Sequence, residues 1–173
     1  MTPEERAKAV RTIRVEGDLA YVPLTRGYEA VIDAADVPLV EGRNWYAKQR
    51  THTVYACRSQ WSGGADVTVR MHRVIAAAPD GMDVDHIDGD GLNNRRSNLR
   101  HATRSENNCN RRAALKNASG LKGVSWNKAN KKWLAQIRFH KQKKHLGYFN
   151  TPEEAHAAYC AAANVLHGEY ARP

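Results

Sequence analysis

The sequence predicts an α+β protein, and three observations carry that prediction. Short β-branched runs broken by Gly, Pro and Asp fill residues 10 to 70. The motif Thr-Pro-Glu-Glu, which starts a helix, occurs at residues 2–5 and again at 151–154. Between Lys132 and Phe139, Trp133, Ala135, Ile137 and Phe139 alternate with Lys132, Gln136 and Arg138, a period of two with Leu134 as the exception. A β-rich part at 1–70, a strand–loop–strand–helix unit at 71–112, a linker at 113–118 and a sheet-plus-helix unit at 119–173 follow from reading the chain in order.

In the first part Thr2 is a helix N-cap with Glu5 closing the box, so a short helix is expected there. RTIRVEG, AYVPL, YEAVIDA, THTVYACRS and ADVTVRM then read as strands of one small antiparallel sheet, with a turn at Ser62-Gly63-Gly64. Trp45, Trp61 and the tyrosines are assigned to the core. MHRVIAAA at 71–78 reads as a short helix stopped by Pro79-Asp80-Gly81. MDVDHI and SNLRHA pair as a hairpin around DGDGLNNRR, and Thr103 with Glu106 opens a helix that carries Asn107, Asn108, Arg111 and Arg112. ALKNASG has linker composition. KGVSWNK, KWLAQIRFH and KKHLGYF form three antiparallel strands, and the helix from Thr151 covers their Trp133/Ile137 face, leaving the polar face bare.

Charge narrows the function. Of 27 Lys+Arg and 18 Asp+Glu, 15 of the bases but only one acid, Glu106, lie between Arg95 and Lys144. A basic block interleaved with Trp126, Trp133 and Phe139 belongs to folded structure facing a polyanion. The three cysteines, Cys57, Cys109 and Cys160, make neither a disulfide framework nor a zinc pair, which suits a reducing compartment. No long apolar run and no signal segment are present, so the expected location is the cytoplasm, with no membrane partner.

Against this basic background, Asp80, Asp83, Asp85, Asp88 and Asp90 crowd around His86. An EF-type calcium loop would need Glu at its twelfth position, where Asn94 or Arg96 stands, so that reading fails. A hard divalent cation needs few protein oxygens when water and phosphate complete its shell; Asp85 and an Asn oxygen suffice. His86 can take a proton from water near neutral pH, and Asn98 can tie the loop across the hairpin.

These residues carry a resemblance. VDHIDGDGLNNRRSNLRHATRSENNCN, in a stretch of about 40 residues that begins with MHR at 71, resembles the His-Asn-His (HNH) motif of phage and intron homing endonucleases. The resemblance implies a ββα-metal (His-Me finger) unit in a phage- or mobile-element-encoded enzyme acting in the host cell. Asp85 takes the first metal ligand's place, His86 the general base, Asn98 the central structural Asn and Asn107 the second ligand, with Asn108 and Asn110 as neighbouring candidates. Mg²⁺ or Mn²⁺ is the implied metal, no small-molecule cofactor is implied, and the implied products carry 5′-phosphate and 3′-hydroxyl ends. PLTRGYEAVIDAADVPLVEGRNWYA looks like the β-rich lead-in found before such units.

The segment from KGVSWNK to HGEYA is similar to the DNA-binding domain of plant ethylene-response factors, whose sheet lies in the major groove. Of that domain's groove-facing residues Arg138 is kept, while Ser125, Asn127, Gln136 and His145 stand in for others. Double-stranded DNA is thus the expected partner, held by Arg95, Arg96, Arg100, Arg111, Arg112, Lys122, Lys132 and Lys143 beside those positions. The alternative is a DNA-binding regulator whose nuclease motif is vestigial.

Overall fold

A computed structural model describes residues 9–110, 117–139 and 142–171. The helix expected at Thr2–Glu5, Arg111 and Arg112, and most of the linker lie outside the described residues. The chain divides after Ala102 into two compact units.

In the first unit, β1 (Arg14–Glu16), β2 (Leu19–Pro23) and β3 (Glu29–Asp33) form an antiparallel sheet in that order. Every second residue of β2 and β3 is buried, placing Ala20, Val22, Ala30 and Ile32 in the core. A short helix, α1 (Val37–Val40), follows, and Trp45 donates its indole N–H to Val40 O at 2.9 Å. β4 (Tyr46–Gln49), β5 (Val54–Ser62) and β6 (Ala65–Arg70) make a second antiparallel sheet. The strand region expected as one sheet is therefore two, because the Ala34–Val40 helical turns, with Pro38 at a helix start, break the ladder between β3 and β4. Gly63 and Gly64, both at positive φ (59° and 83°), make the tight β5–β6 turn.

Helix α2 (Met71–Ile75) buries Met71 and Ile75 in the same core as Trp45, Val22 and Ile32, with Leu92 and Leu99 packed against it. One core thus unites the β-rich lead-in with the hairpin β7 (Asp83–His86) and β8 (Leu99–Ala102). Trp61 does not join it. Expected inside, it is 70% exposed, because β5 runs beyond the core before it turns.

In the second unit, α3 (Arg104–Cys109) begins at a complete Thr103/Glu106 capping box. β9 (Val124–Asn127), β10 (Lys132–Phe139) and β11 (Gln142–Phe149) form a sheet in the order β11-β10-β9, covered by α4 (Pro152–His167). Thr151 and Glu154 make the second capping box. Ala155, Tyr159 and Ala163 of α4 are buried against Val124, Ala135 and Ile137. Gly123, at φ +76°, lies so close to Tyr159 that a Cβ there would meet the ring at 2.0 Å. That contact sets the helix against the sheet.

Candidate nuclease site and DNA interface

The loop between β7 and β8 is built from its own side chains. Asn98, buried at the end of the loop, donates its amide to Asp88 Oδ1 (2.9 Å) and Asn93 O (2.8 Å) and accepts from Asp88 N–H (3.1 Å). Asp88 Oδ1 also accepts from Asp90 N–H, and Asp90 Oδ1 from Leu92 N–H. Burial alone would raise the Asp88 carboxyl's pKa, but the Asp90 backbone N–H and the Asn98 and Asn93 amides outweigh it and hold it below the usual range.

The loop is also moored to both sheets. Val31 N–H donates to Leu92 O and Asn94 N–H to Val31 O, adding a short parallel bridge to the edge of β3. Gly91 N–H donates to Thr53 Oγ1, and a Cβ on Gly91 would strike Val54 O at 2.5 Å and the Tyr55 ring at 2.6 Å. Arg95 pairs with Asp33 at 3.1 Å, while Arg96 chelates the buried Asp36 through Nε and a terminal nitrogen.

This framework fixes His86, which is 5% exposed. The Asn94 amide donates to Leu92 O at 3.0 Å, so its Oδ1 faces His86 Nε2 at 3.3 Å. Only an N–H can satisfy that oxygen, so the neutral ring holds its proton on Nε2 and its lone pair on Nδ1. Burial lowers the pKa of His86, an effect larger than the opposing pull of Asn94 and of Asp88, Asp85 and Asp90. The ring is therefore in its basic form at neutral pH. Two aromatic neighbours hold its plane: His72 of α2 meets it edge-on at 4.9 Å between centroids, and Tyr55 of β5 lies at 5.8 Å. His72 is itself 4% exposed, its Nδ1 has no hydrogen-bond partner among the described residues, and burial drives its pKa down to about 3.

Asp85, the neighbour of His86 on β7, is equally buried and faces Arg100 across the hairpin, its Oδ2 accepting from Arg100 at 3.0 and 2.7 Å. The described residues contain no cluster of three or more His, Cys, Asp or Glu that could hold a metal. The hard donor that β7 offers is the Asp85 carboxylate, an oxygen that suits a cation keeping most of its water and not a zinc-type centre. Asn107, half-buried, and Asn108, exposed, are on α3, in the second unit; Asn110, just beyond it, is buried.

Sequence reasoning missed three parts of this site. Nothing local marks Asn94 or His72 as partners of His86, and Tyr55 reads as core with the other tyrosines; the one sequence signal is that MHR, at 71–73, opens the stretch that resembles the HNH motif. The three loop arginines are in ion pairs with Asp33, Asp36 and Asp85, so a phosphate would have to compete with carboxylates for them.

In the second unit the β ladders put Ser125, Asn127, Lys132, Gln136, Arg138, Lys143 and His145 on one sheet face, with Leu134 and Tyr148. Trp133, Ala135 and Ile137 point the other way, to α4. Lys122 is not on the polar face; its ammonium lies 6.0 Å from the centre of the Tyr159 ring of α4.

Residues 69–109 match the HNH endonuclease family and residues 119–169 the AP2 domain, so the chain belongs to the HNH endonucleases and joins that domain to an AP2 DNA-binding domain. It is similar to Protein 3.8 of Escherichia phage T7, with 37% identity over 94 residues that make up 54% of this chain and 77% of the phage protein. No described helix is long and apolar enough to cross a membrane.

Proposed function

We propose that the protein is a metal-dependent homing endonuclease that hydrolyses a phosphodiester of double-stranded DNA in the host cytoplasm. The observation that carries this reading is the buried, neutral His86, held by Asn94 with its lone pair on Nδ1 and next to Asp85 along β7. Nδ1 takes a proton from water, and the water oxygen attacks phosphorus in line with the departing 3′-oxygen, which leaves 5′-phosphate and 3′-hydroxyl ends. Asp85, with Asn107 as second ligand, would hold Mg²⁺ or Mn²⁺, and such an ion supplies charge stabilisation to the phosphate and the leaving oxygen. Arg100 keeps the Asp85 carboxylate oriented, and Asn98 keeps the loop closed. His72 and Tyr55 hold the plane of the base.

Target choice is assigned to the outer sheet face, where Gln136, Arg138 and His145 read base edges while Lys132 and Lys143 meet phosphates. One observation favours the alternative, a DNA-binding regulator without activity: the Arg100 guanidinium already neutralises Asp85. Supercoiled plasmid incubated with the protein and Mg²⁺, beside an EDTA control, separates the two. Nicked or linear product in the first tube alone supports the nuclease; intact plasmid in both, with the protein bound, supports the regulator.

A further inference from the structure

Past the core, β5 and β6 continue as a two-stranded ribbon. All residues from Ser59 to Thr68 are exposed, although the strands stay paired through Ser59–Thr68, Gln60–Val67, Trp61–Asp66 and Ser62–Ala65. Both faces of the ribbon are open to solvent, with Trp61 70% and Val67 46% exposed. An isolated two-stranded hairpin is marginally stable in water, and a tryptophan left outside gives up a large burial energy. Neither feature serves the fold of this unit. Both suit a surface completed by a partner.

Charge and register select the partner. Lys48 lies opposite Tyr55, Arg70 opposite Cys57, Thr68 opposite Ser59 and Asp66 opposite Trp61, and such opposed pairs share a face. One face of the sheet therefore runs from Tyr55 through Lys48, Arg70 and Thr68 to Trp61, and Asp66 is its single acid. Lys48 donates to Thr68 Oγ1 at 3.4 Å, which keeps its positive charge on that face. Tyr55, at the inner end, touches the His86 ring. The face thus starts at the base and ends, six residues along β5, at an exposed indole roughly 20 Å away.

We infer that this ribbon is a DNA-docking arm, laid in the major groove of the duplex beside the cleaved bond. The inference rests on the nuclease reading and adds to it a contact in the first unit, separate from the AP2 sheet. A major groove about 12 Å wide admits a two-stranded ribbon, and 20 Å along the duplex is about six base pairs. Lys48 and Arg70 meet phosphates, Thr68 and Ser59 lie within reach of base edges, and Trp61 packs its ring on the sugar–base surface. An acidic protein partner would also meet the positive charge, but the face's origin at the His86 ring favours the nucleic acid on which that base acts.

The test uses the full chain. The strongest nick made in a plasmid with Mg²⁺ is mapped, and a duplex of about 40 base pairs centred on it is footprinted with hydroxyl radicals in EDTA. Wild type is compared with Trp61→Ala and with Thr68→Glu, two substitutions at exposed positions. Expected is a patch of protection about six base pairs to one side of the nick, lost in both variants, with affinity for the duplex lowered about tenfold or more. Wild-type footprint and affinity retained by both variants would overturn the arm while leaving the nuclease standing. A wild-type protein that neither nicks nor binds the plasmid would overturn both.

Discussion

In the proposed mechanism the surroundings of His86 make its ring the base. Asn94 fixes which nitrogen holds the proton, and burial keeps the ring unprotonated. Because its pKa is lowered, protonation should quench cleavage only below the ordinary histidine value of about 6.5, and a bound cation pushes in the same direction. Rates measured at fixed metal should be flat from pH 8 to about 6.5 and fall below it; a half-maximum at or above 6.5 would contradict the buried base. Asn94→Ala should slow cleavage about tenfold or more with DNA affinity unchanged, since the ring can then flip or change tautomer. His72 gives a stability signature. Its folded pKa, about 3, lies below that of the unfolded chain, so the unfolded state binds the extra proton. The stabilisation is complete above about pH 6.5 and is lost as pH falls toward 3, by up to about 1.4 kcal/mol per unit. Urea unfolding at pH 7.5 and 4.5 should show a smaller acid loss for His72→Phe than for wild type; equal losses would argue against a buried neutral His72.

At the scale of elements, the β7–β8 hairpin depends on a loop that has little hydrophobic reason to hold its shape. Asn98→Ala removes two donated bonds and one accepted bond, and leaves Asn93 O and Asp88 N–H without their partner. A loss of about 1–3 kcal/mol in chemical unfolding is expected. Gly91→Ala should act differently: its Cβ collides with Val54 O and the Tyr55 ring, so the loop is lifted from β5 and carries Asn94 away from His86. Activity should fall more than stability does. Much of this was legible in sequence. The capping boxes at Thr103 and Thr151, the hairpin around the Asp-Gly loop and the three-strand sheet are local signals, and they stand where they were expected. The split of the first part into two sheets and the exposure of Trp61 were not legible, since strand pairing and the reach of β5 beyond the core are set by tertiary contacts. The Arg95–Asp33 and Arg96–Asp36 pairs join residues about 60 positions apart, a separation that carries no local pattern.

For the molecule as a whole, the two units carry separable tasks in this account, chemistry at β7–β8 and recognition at the AP2 sheet. Deleting residues 119–173, which hold seven Lys and two Arg, should leave nicking of plasmid DNA but spread it over many sites. Binding should also become less sensitive to salt, each lost phosphate contact removing a slope of about 0.9 in log K against log salt; an unchanged site distribution would move recognition into the first unit. Family and fold class were legible because the HNH and AP2 motifs are contiguous in sequence, whereas the neighbours of His86, Asn94, His72 and Tyr55, come from three separate segments. The central claim is that His86 is the base of a metal-dependent cut. Its most direct test is single-turnover nicking of supercoiled plasmid in Mg²⁺ by wild type and His86→Ala, with DNA affinity measured in EDTA for both. His86→Ala should lose nicking by at least about a thousandfold while its DNA affinity stays within a few-fold of wild type; nicking within tenfold of wild type would rule His86 out as the base.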